Sequence, residues 1–386
     1  MELSDADIER RVADLAKAER MTREGVDAEL AMRELVAHLP ELVDETRAVV
    51  HINGAHGFNR DFVASQMLLL AREKNAHASL EWLRKVSAAT EAQGAVVCAL
   101  LGVNCDQPVS FSQDLRLIPF VQLLGSRTAD YVAGRERRGP TAALCRAGTI
   151  KPLFVKGGLS PLLKDRLDLR KLDPSLWFRQ IEDAMLLLTL LPNSVPRDAG
   201  HWVHYDDPDF ELLGNCGVQS SNHELPPIIE AAPVPVTQED VDGLLPKFQA
   251  LNKTDRRRVT LALHRIARAR SQLKTGNRAL DLAIAFEVLF MNVDQGEHSY
   301  KISLRAARLL SSVPKIRRDI FATVRKLYDM RSTMVHTGTA KDVYMVQGRK
   351  ISGHELVSSS DGICTEAIRR MLDLGGIPKD WAEIEF

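Results

Sequence analysis

The segment Tyr328-Asp329-Met330-Arg331-Ser332-Thr333-Met334-Val335-His336 places a permanent cation, Arg331, five positions before a titratable imidazole, His336. Cleavage of RNA without a metal needs that equipment. Histidine gives or takes a proton near neutral pH. Arginine grips a phosphate and stabilises the charge that develops on it. Ser332, between them, can hydrogen-bond the phosphate or orient His336. Geometry adds a condition. On one straight helix, five positions rotate about 140° and rise about 7.5 Å. The two side chains therefore face one point only if the helix bends or if two copies bring their helix ends together.

The elements that must position this pair are legible around it. Ile320, Val324, Leu327, Arg331 and Met334 recur in steps of four and three, which is an apolar stripe at helical period. Arg331 takes one of its slots and needs a partner there, because an unpaired guanidinium facing a core is costly. That partner is either an internal carboxylate or a bound phosphate; otherwise the side chain snorkels past its neighbours. Gly338 stands where a helix C-cap belongs, so His336 falls in the last turn, where the helix dipole favours imidazolium. A plain capping histidine fits the same position. Upstream, residues 277–292 are apolar on nearly every side, which predicts a buried helix. Glu287 lies inside it, in line with Ile284 and Met291. It reads as a structural partner for Arg305 or Arg331, or as support for the site.

Two further segments carry a resemblance. One is Ala279-Leu-Asp281-Leu-Ala-Ile284-Ala-Phe286-Glu287-Val-Leu289-Phe290; the other is Ser299-Tyr300-Lys301-Ile302-Ser-Leu304-Arg305-Ala306-Ala307-Arg308-Leu309-Leu310. With the Arg-x4-His segment third, the order is similar to the Apea-like HEPN family. That family shows Asp-x-x-Ile-x-x-Glu-x-Leu, then Arg-Ala-Ala-x-Leu-Leu, then Tyr-x-x-Arg-Ser-x-x-Val-His. The likeness covers about residues 250–375. It implies a small helical bundle that dimerises, with Arg and His of both copies lining one cleft. It also implies a metal-independent endoribonuclease of toxin, abortive-infection or antiphage type; the two-part layout of the chain fits an effector that stays silent until residues 1–235 sense a phage-derived trigger. The catalytic pair maps onto Arg331 and His336. The polar residue after the arginine, often Asn, Asp or His in active members, is Ser332 here, as is usual in the Apea-like branch. Some HEPN domains serve instead as non-catalytic dimerisation and binding modules, for nucleic acid or protein.

Charge is unevenly laid out in a chain whose formal net charge is zero. From Asp198 to Asp242 there are ten acidic residues and no Lys or Arg. Then Lys253, Arg256, Arg257, Arg258, Arg265, Arg268, Arg270 and Lys274 face only Asp255. A second basic set follows: Lys301, Arg305, Arg308, Lys315, Arg317, Arg318, Arg325 and Lys326, with Asp319. A basic domain suits a phosphate backbone, as it also suits a solvated helix face. Arg305, Arg308, Arg325 and Lys326 are the expected RNA contacts. Aromatic residues are scarce, which argues against a base-stacking platform in this part.

The five cysteines form no CxxC pair, which favours a reducing, cytoplasmic setting and no structural zinc. The first residues are too charged for a signal peptide. The longest apolar runs are too short to span a bilayer, so no membrane partner is expected. No Gly-rich phosphate loop, Ser/His/Asp hydrolase motif or dinucleotide fingerprint is present. The reading therefore assigns no cofactor and no metal. The histidine pairs His51/His56 and His201/His204 read as loop or packing residues.

The expected fold is α+β: a mixed region over 1–235, read as a sensor or regulatory domain, then an all-α HEPN-like helical domain over 236–386. In the first part, residues 1–90 read as helical, with a Gly/Asn turn at 51–59. Residues 94–155 read as strand-rich, 176–191 as an apolar helix, and the proline-rich 192–236 as irregular. In the second, Thr237 with Asp240 opens a run of helices near 241–251, 254–273, 277–292, 300–312, 315–336 and 361–374.

Overall fold

The computed structural model describes residues 4–18, 23–39, 47–51, 54–57, 60–135, 139–151, 154–156, 173–211, 218, 234–291 and 298–381. Helix and sheet are mixed. The chain begins with α1 (Asp5–Ala16) and α2 (Arg23–Ala37), then β1 (Arg47–His51) and β2 (Gly54–Gly57), then α3 (Arg60–Glu73) and α4 (Ala76–Ala88). Ser4 and Asn75 start α1 and α4 by accepting a first-turn backbone N–H, from Asp7 and Ala78. The antiparallel pair β1–β2 corrects the reading of residues 1–90 as helical: the Gly/Asn stretch lies partly in two strands, and its residues 52–53 and 58–59 fall outside the described residues.

Next come β3 (Ala92–Leu101), β4 (Val109–Ser110), β5 (Leu115–Pro119), α5 (Arg127–Arg135), β6 (Ala142–Ile150), β7 (Phe154–Lys156), α6 (Asp173–Leu187), β8 (Arg197–Tyr205) and α7 (Pro208–Glu211). β7 joins β1. The larger sheet is antiparallel in the order β4-β5-β6-β3-β8. Its central β3 is buried from Gly94 to Leu101, so its sequence is a continuous apolar run and not an alternation. Val96, Cys98 and Leu100 face the main core; Val97, Ala99 and Leu101 face a smaller cluster closed by Phe120, Ala129 and Val132.

β8 lies inside the stretch expected to be irregular. The prolines flank it, and His201-Trp-Val-His-Tyr205 pairs along β3. A bulge interrupts that ladder: His201 opposes Cys98, Gly200 opposes Ala99, and Asp198 opposes Leu100, leaving Ala199 as the extra residue. In a regular strand residues three apart point to opposite faces. The extra residue puts Asp198 and His201 on the same face.

The rest is largely helical: α8 (Gln238–Val241), α9 (Leu244–Ala250), α10 (Lys253–Arg270), α11 (Thr275–Phe290), α12 (His298–Leu310) and α13 (Pro314–Thr337), then β9 (Val343–Val346), β10 (Arg349–Ser352) and α14 (Gly353–Asp373). The expected Thr237–Asp240 capping box is present. α11 is central, packed against α10, α12, α13 and α14. The β9–β10 hairpin overturns the expectation of an all-α region. Its turn residues Gln347 and Gly348 both have positive φ, 50° and 80°, as a two-residue hairpin turn demands. α14 also starts earlier than expected, because the Ser352 hydroxyl accepts the Glu355 N–H. Among the described residues no helix is long and apolar enough to cross a membrane.

The apolar core runs across residue 236 without interruption: Leu187, Leu190 and Val203 belong to the same cluster as Phe248, Leu263, Leu356 and Ile368. Arg270 of α10 ties the two parts together. Its guanidinium meets Asp361 of α14 through two hydrogen bonds, at 2.6 and 2.8 Å. It also donates to the carbonyl oxygens of Thr189, Leu191 and Ser194, at 2.7, 2.8 and 2.9 Å.

A pair of arginines closes the carboxyl end of α11. Arg258 donates to the carbonyl oxygens of Val288, Leu289 and Met291, and Arg305 to that of Phe290. These are carbonyls that helix geometry leaves unpaired, at the negative end of the dipole. Trp381 covers the site, its ring 5.3 Å from that of Phe290 and 5.5 Å from the Arg305 guanidinium. Arg258→Ala should therefore cost about 1–3 kcal/mol, while exposed Arg257→Ala should stay within about 0.5 kcal/mol. Urea unfolding checks this; equal midpoints for the two variants would refute the cap.

Cys98, Cys105 and Cys364 are buried free thiols, and Cys145 is half-buried and free. Burial pushes the Cys105 thiol up to about 11 and Cys145 to about 12. All four should resist alkylation at pH 8 until the chain unfolds. Peptide mapping by mass spectrometry, with and without urea, reads this out; labelling of Cys98 in the folded protein would contradict it. These buried thiols also lower stability at high pH: an unfolded thiol ionises above about pH 8.5, the buried one stays protonated, and unfolding gains from the difference.

Candidate functional site

α13 carries both residues of the expected pair. Pro314 starts it and Gly338, at φ 72°, ends it, with the Gly338 N–H donating to Met334 at 2.9 Å. The helix runs uninterrupted between them, so the separation of about 140° between Arg331 and His336 stands. Val324, Leu327, Tyr328 and Met330 hold α13 in the core. The Tyr328 hydroxyl donates to Ala283 of α11 at 3.1 Å, and burial pushes its phenol far up, so it stays a donor. At the far end, Gly276 lets α13 approach α11: a Cβ there would sit 2.6 Å from Met334 Sδ.

The stripe that contains Arg331 is buried at Val324 and Leu327 and only half-buried at Arg331 and Met334. The helix end emerges from the core there. Arg331 Nη2 lies 3.9 Å from Glu287 Oε1, with side chains 41% and 31% exposed. Glu287 is thus on the rim of α11, not in its interior as the apolar run suggests, and it faces Arg331. At 3.9 Å in a half-open setting the contact is coulombic, a kind worth about 0–1 kcal/mol. It leaves guanidinium donors for another anion. Ser332 and His336 are both exposed. They lie four residues apart, close to one face, and that face is turned away from Arg331.

The expected RNA contacts divide. Arg305 is only 5% exposed and turned to Phe290 and Trp381, so it is a structural residue and cannot meet a phosphate backbone. Arg308 is half-buried. Lys326 is bound to Asp329 at 2.6 Å. Arg325 is exposed, its guanidinium 6.0 Å from the Tyr300 ring centroid. Five cations of the first basic set are engaged by partners within the chain, while Lys253, Arg257, Arg268 and Lys274 are exposed. Arg256 pairs with Asp183, Arg265 and Arg268 both grip Asp281 at 3.0 and 3.3 Å, and Arg258 and Arg270 are engaged as above. Asp281, 5% exposed, is accordingly a structural anchor for α10.

One constellation has no signal in the sequence. The bulge in β8 brings His201 Nδ1 within 2.6 Å of Asp198 Oδ2, with both side chains 7% exposed. The Cys98 thiol, held protonated by burial, donates to Asp198 Oδ1 at 3.5 Å. The Phe178 ring covers the imidazole at 4.2 Å. His201 Nε2 is buried and has no hydrogen-bond partner among the described residues. His201 and His204 are therefore strand residues with carboxylate partners, Asp198 and Glu211, and not loop histidines. No family model, no curated protein and no solved structure matches this chain.

Proposed function

We propose that the chain is a metal-independent endoribonuclease of the HEPN type, acting as a toxin or antiphage effector, with Arg331 and His336 as its catalytic pair. The observation that carries this is the half-open state of Arg331, loosely held by Glu287, on the same helix end as an exposed His336. His336 takes the proton from a ribose 2′-hydroxyl or returns one to the leaving 5′-oxygen. Arg331 holds the scissile phosphate and stabilises its developing charge. Ser332, exposed on the His336 face, hydrogen-bonds the phosphate or orients His336. The products are a 2′,3′-cyclic phosphate and a 5′-hydroxyl.

The angle between the two side chains calls for a second copy. Two α13 ends meeting about a twofold axis place Arg331 of one copy near His336 of the other, in a homodimer built through the HEPN-like helical part. In this reading the preceding residues answer to a phage-derived trigger. The same angle supports a second reading: a non-catalytic HEPN module that dimerises and binds nucleic acid or protein.

Total RNA incubated with purified protein in excess EDTA, beside His336→Ala, separates the two. Fragments ending in cyclic phosphate, from the wild type only, support the nuclease. Intact RNA together with a stable dimer supports the module. A monomer at micromolar concentration by light scattering removes the composite site.

A further inference from the structure

We propose that the exposed flank of α13, with Tyr300 of α12 beside it, is a track for a single RNA strand, on which one base stacks at Tyr300. The residues concerned fall on one stripe. Arg318, Phe321, Arg325, Asp329, Ser332 and His336 lie within about 80° of arc and span about 27 Å of helix. Arg318, Arg325, Ser332 and His336 are exposed along it. Asp329 is the acidic interruption, and its contact with Lys326 at 2.6 Å cancels that charge.

Tyr300 gives the track its aromatic element. It is 44% exposed, set edge-to-face against Phe321 at 5.5 Å and 76°, with the Arg325 guanidinium 6.0 Å from its centroid. An exposed tyrosine held by a second ring and flanked by a guanidinium is equipped for base stacking without sequence preference. The sequence conceals this, because Tyr300 and Phe321 lie on different helices. Arg318 and Arg325 supply phosphate contacts. The track suits one strand and not a duplex, since stacking needs an unpaired base face. From Arg325 to His336 is about 16 Å along the helix. A strand stacked at about 3.4 Å per nucleotide crosses that distance in roughly five nucleotides.

The inference deepens the nuclease reading and depends on it only for what His336 does when the strand arrives. Binding is measured on the full chain carrying His336→Ala, by fluorescence anisotropy with a labelled fifteen-nucleotide oligouridylate at several salt concentrations. Adding Tyr300→Ala should weaken binding about tenfold with an unchanged melting temperature, and Tyr300→Phe should restore it to within about twofold. Arg318→Gln with Arg325→Gln should flatten the salt slope by about 1.4. A trinucleotide, too short to follow the track to His336, should bind more weakly than the fifteen-nucleotide strand. Equal affinity with and without Tyr300, or a preference for duplex RNA, overturns the track. Cleavage by the otherwise wild-type chain is scored separately. Tyr300-dependent binding without any cleavage keeps the track and removes the nuclease; cleavage with a KM indifferent to Tyr300→Ala keeps the nuclease and removes the track.

Discussion

His336→Ala is expected to slow RNA cleavage by about 100- to 10,000-fold, the usual range for loss of a general acid–base, while leaving the fold intact. The imidazole is exposed in the last turn of its helix, away from the core. Arg331→Ala should fall as far in kcat. Arg331→Lys should also fail if two parallel N–H donors grip the phosphate, because an ammonium cannot reproduce that fork. The neighbouring carboxylate provides the control. Glu287 is 31% exposed and 3.9 Å from Arg331, so Glu287→Gln should shift stability by less than about 1 kcal/mol. Single-turnover cleavage and urea unfolding of the four variants decide the matter. An Arg331→Ala protein that folds normally and cuts at the wild-type rate would end the nuclease reading. Expression in cells offers a second readout: growth inhibition, constitutive or after phage infection, should disappear with either substitution.

The largest loss of stability is expected at Arg270. Its guanidinium has two contacts to Asp361 and three to main-chain carbonyls, and its side chain is 5% exposed. Arg270→Ala strands a buried carboxylate and three acceptors, which should cost about 3–5 kcal/mol. That is a large share of the roughly 5–15 kcal/mol that holds a protein together. The paired change Arg270→Met with Asp361→Leu should cost less than the single one, since no charge is then left alone. Urea midpoints of both, if soluble, or the soluble yield on expression, measure the difference. A single variant that melts with the wild type would mean that water reaches Asp361 and that the bridge is ornamental.

Much of the helical part could be read from the chain because its signals are local. The apolar stretch around Ala279–Phe290 announces α11, and Pro314 and Gly338 bracket α13 to within a residue or two. The misses have equally local causes. The hairpin was written in Tyr344-Met-Val346-Gln-Gly348-Arg-Lys-Ile351, an alternation about a glycine turn, followed by Ser352 with Glu355 as a capping signal. The polar residues around it and the Asp361-Gly362 pair read more readily as loop and helix start. β8 was hidden by the prolines that flank it. Burial of Arg305 and half-exposure of Glu287 depend on how three helices meet, which residue spacing does not encode. The Asp198–His201 contact depends on a one-residue bulge, and no pattern of period two reveals one.

The seal over α11 has a practical consequence. The chain leaves α14 and doubles back: the Ile377 N–H meets Asp255 at 3.3 Å, and Trp381 ends against Phe290 and Arg305. The stretch after Asp373 thus acts as a latch for the helical part, not as a trailing end. A protease that clips it, or a bulky fusion placed close behind Trp381, should loosen the bundle from its base, with α11 exchanging its amide hydrogens sooner than its central position suggests.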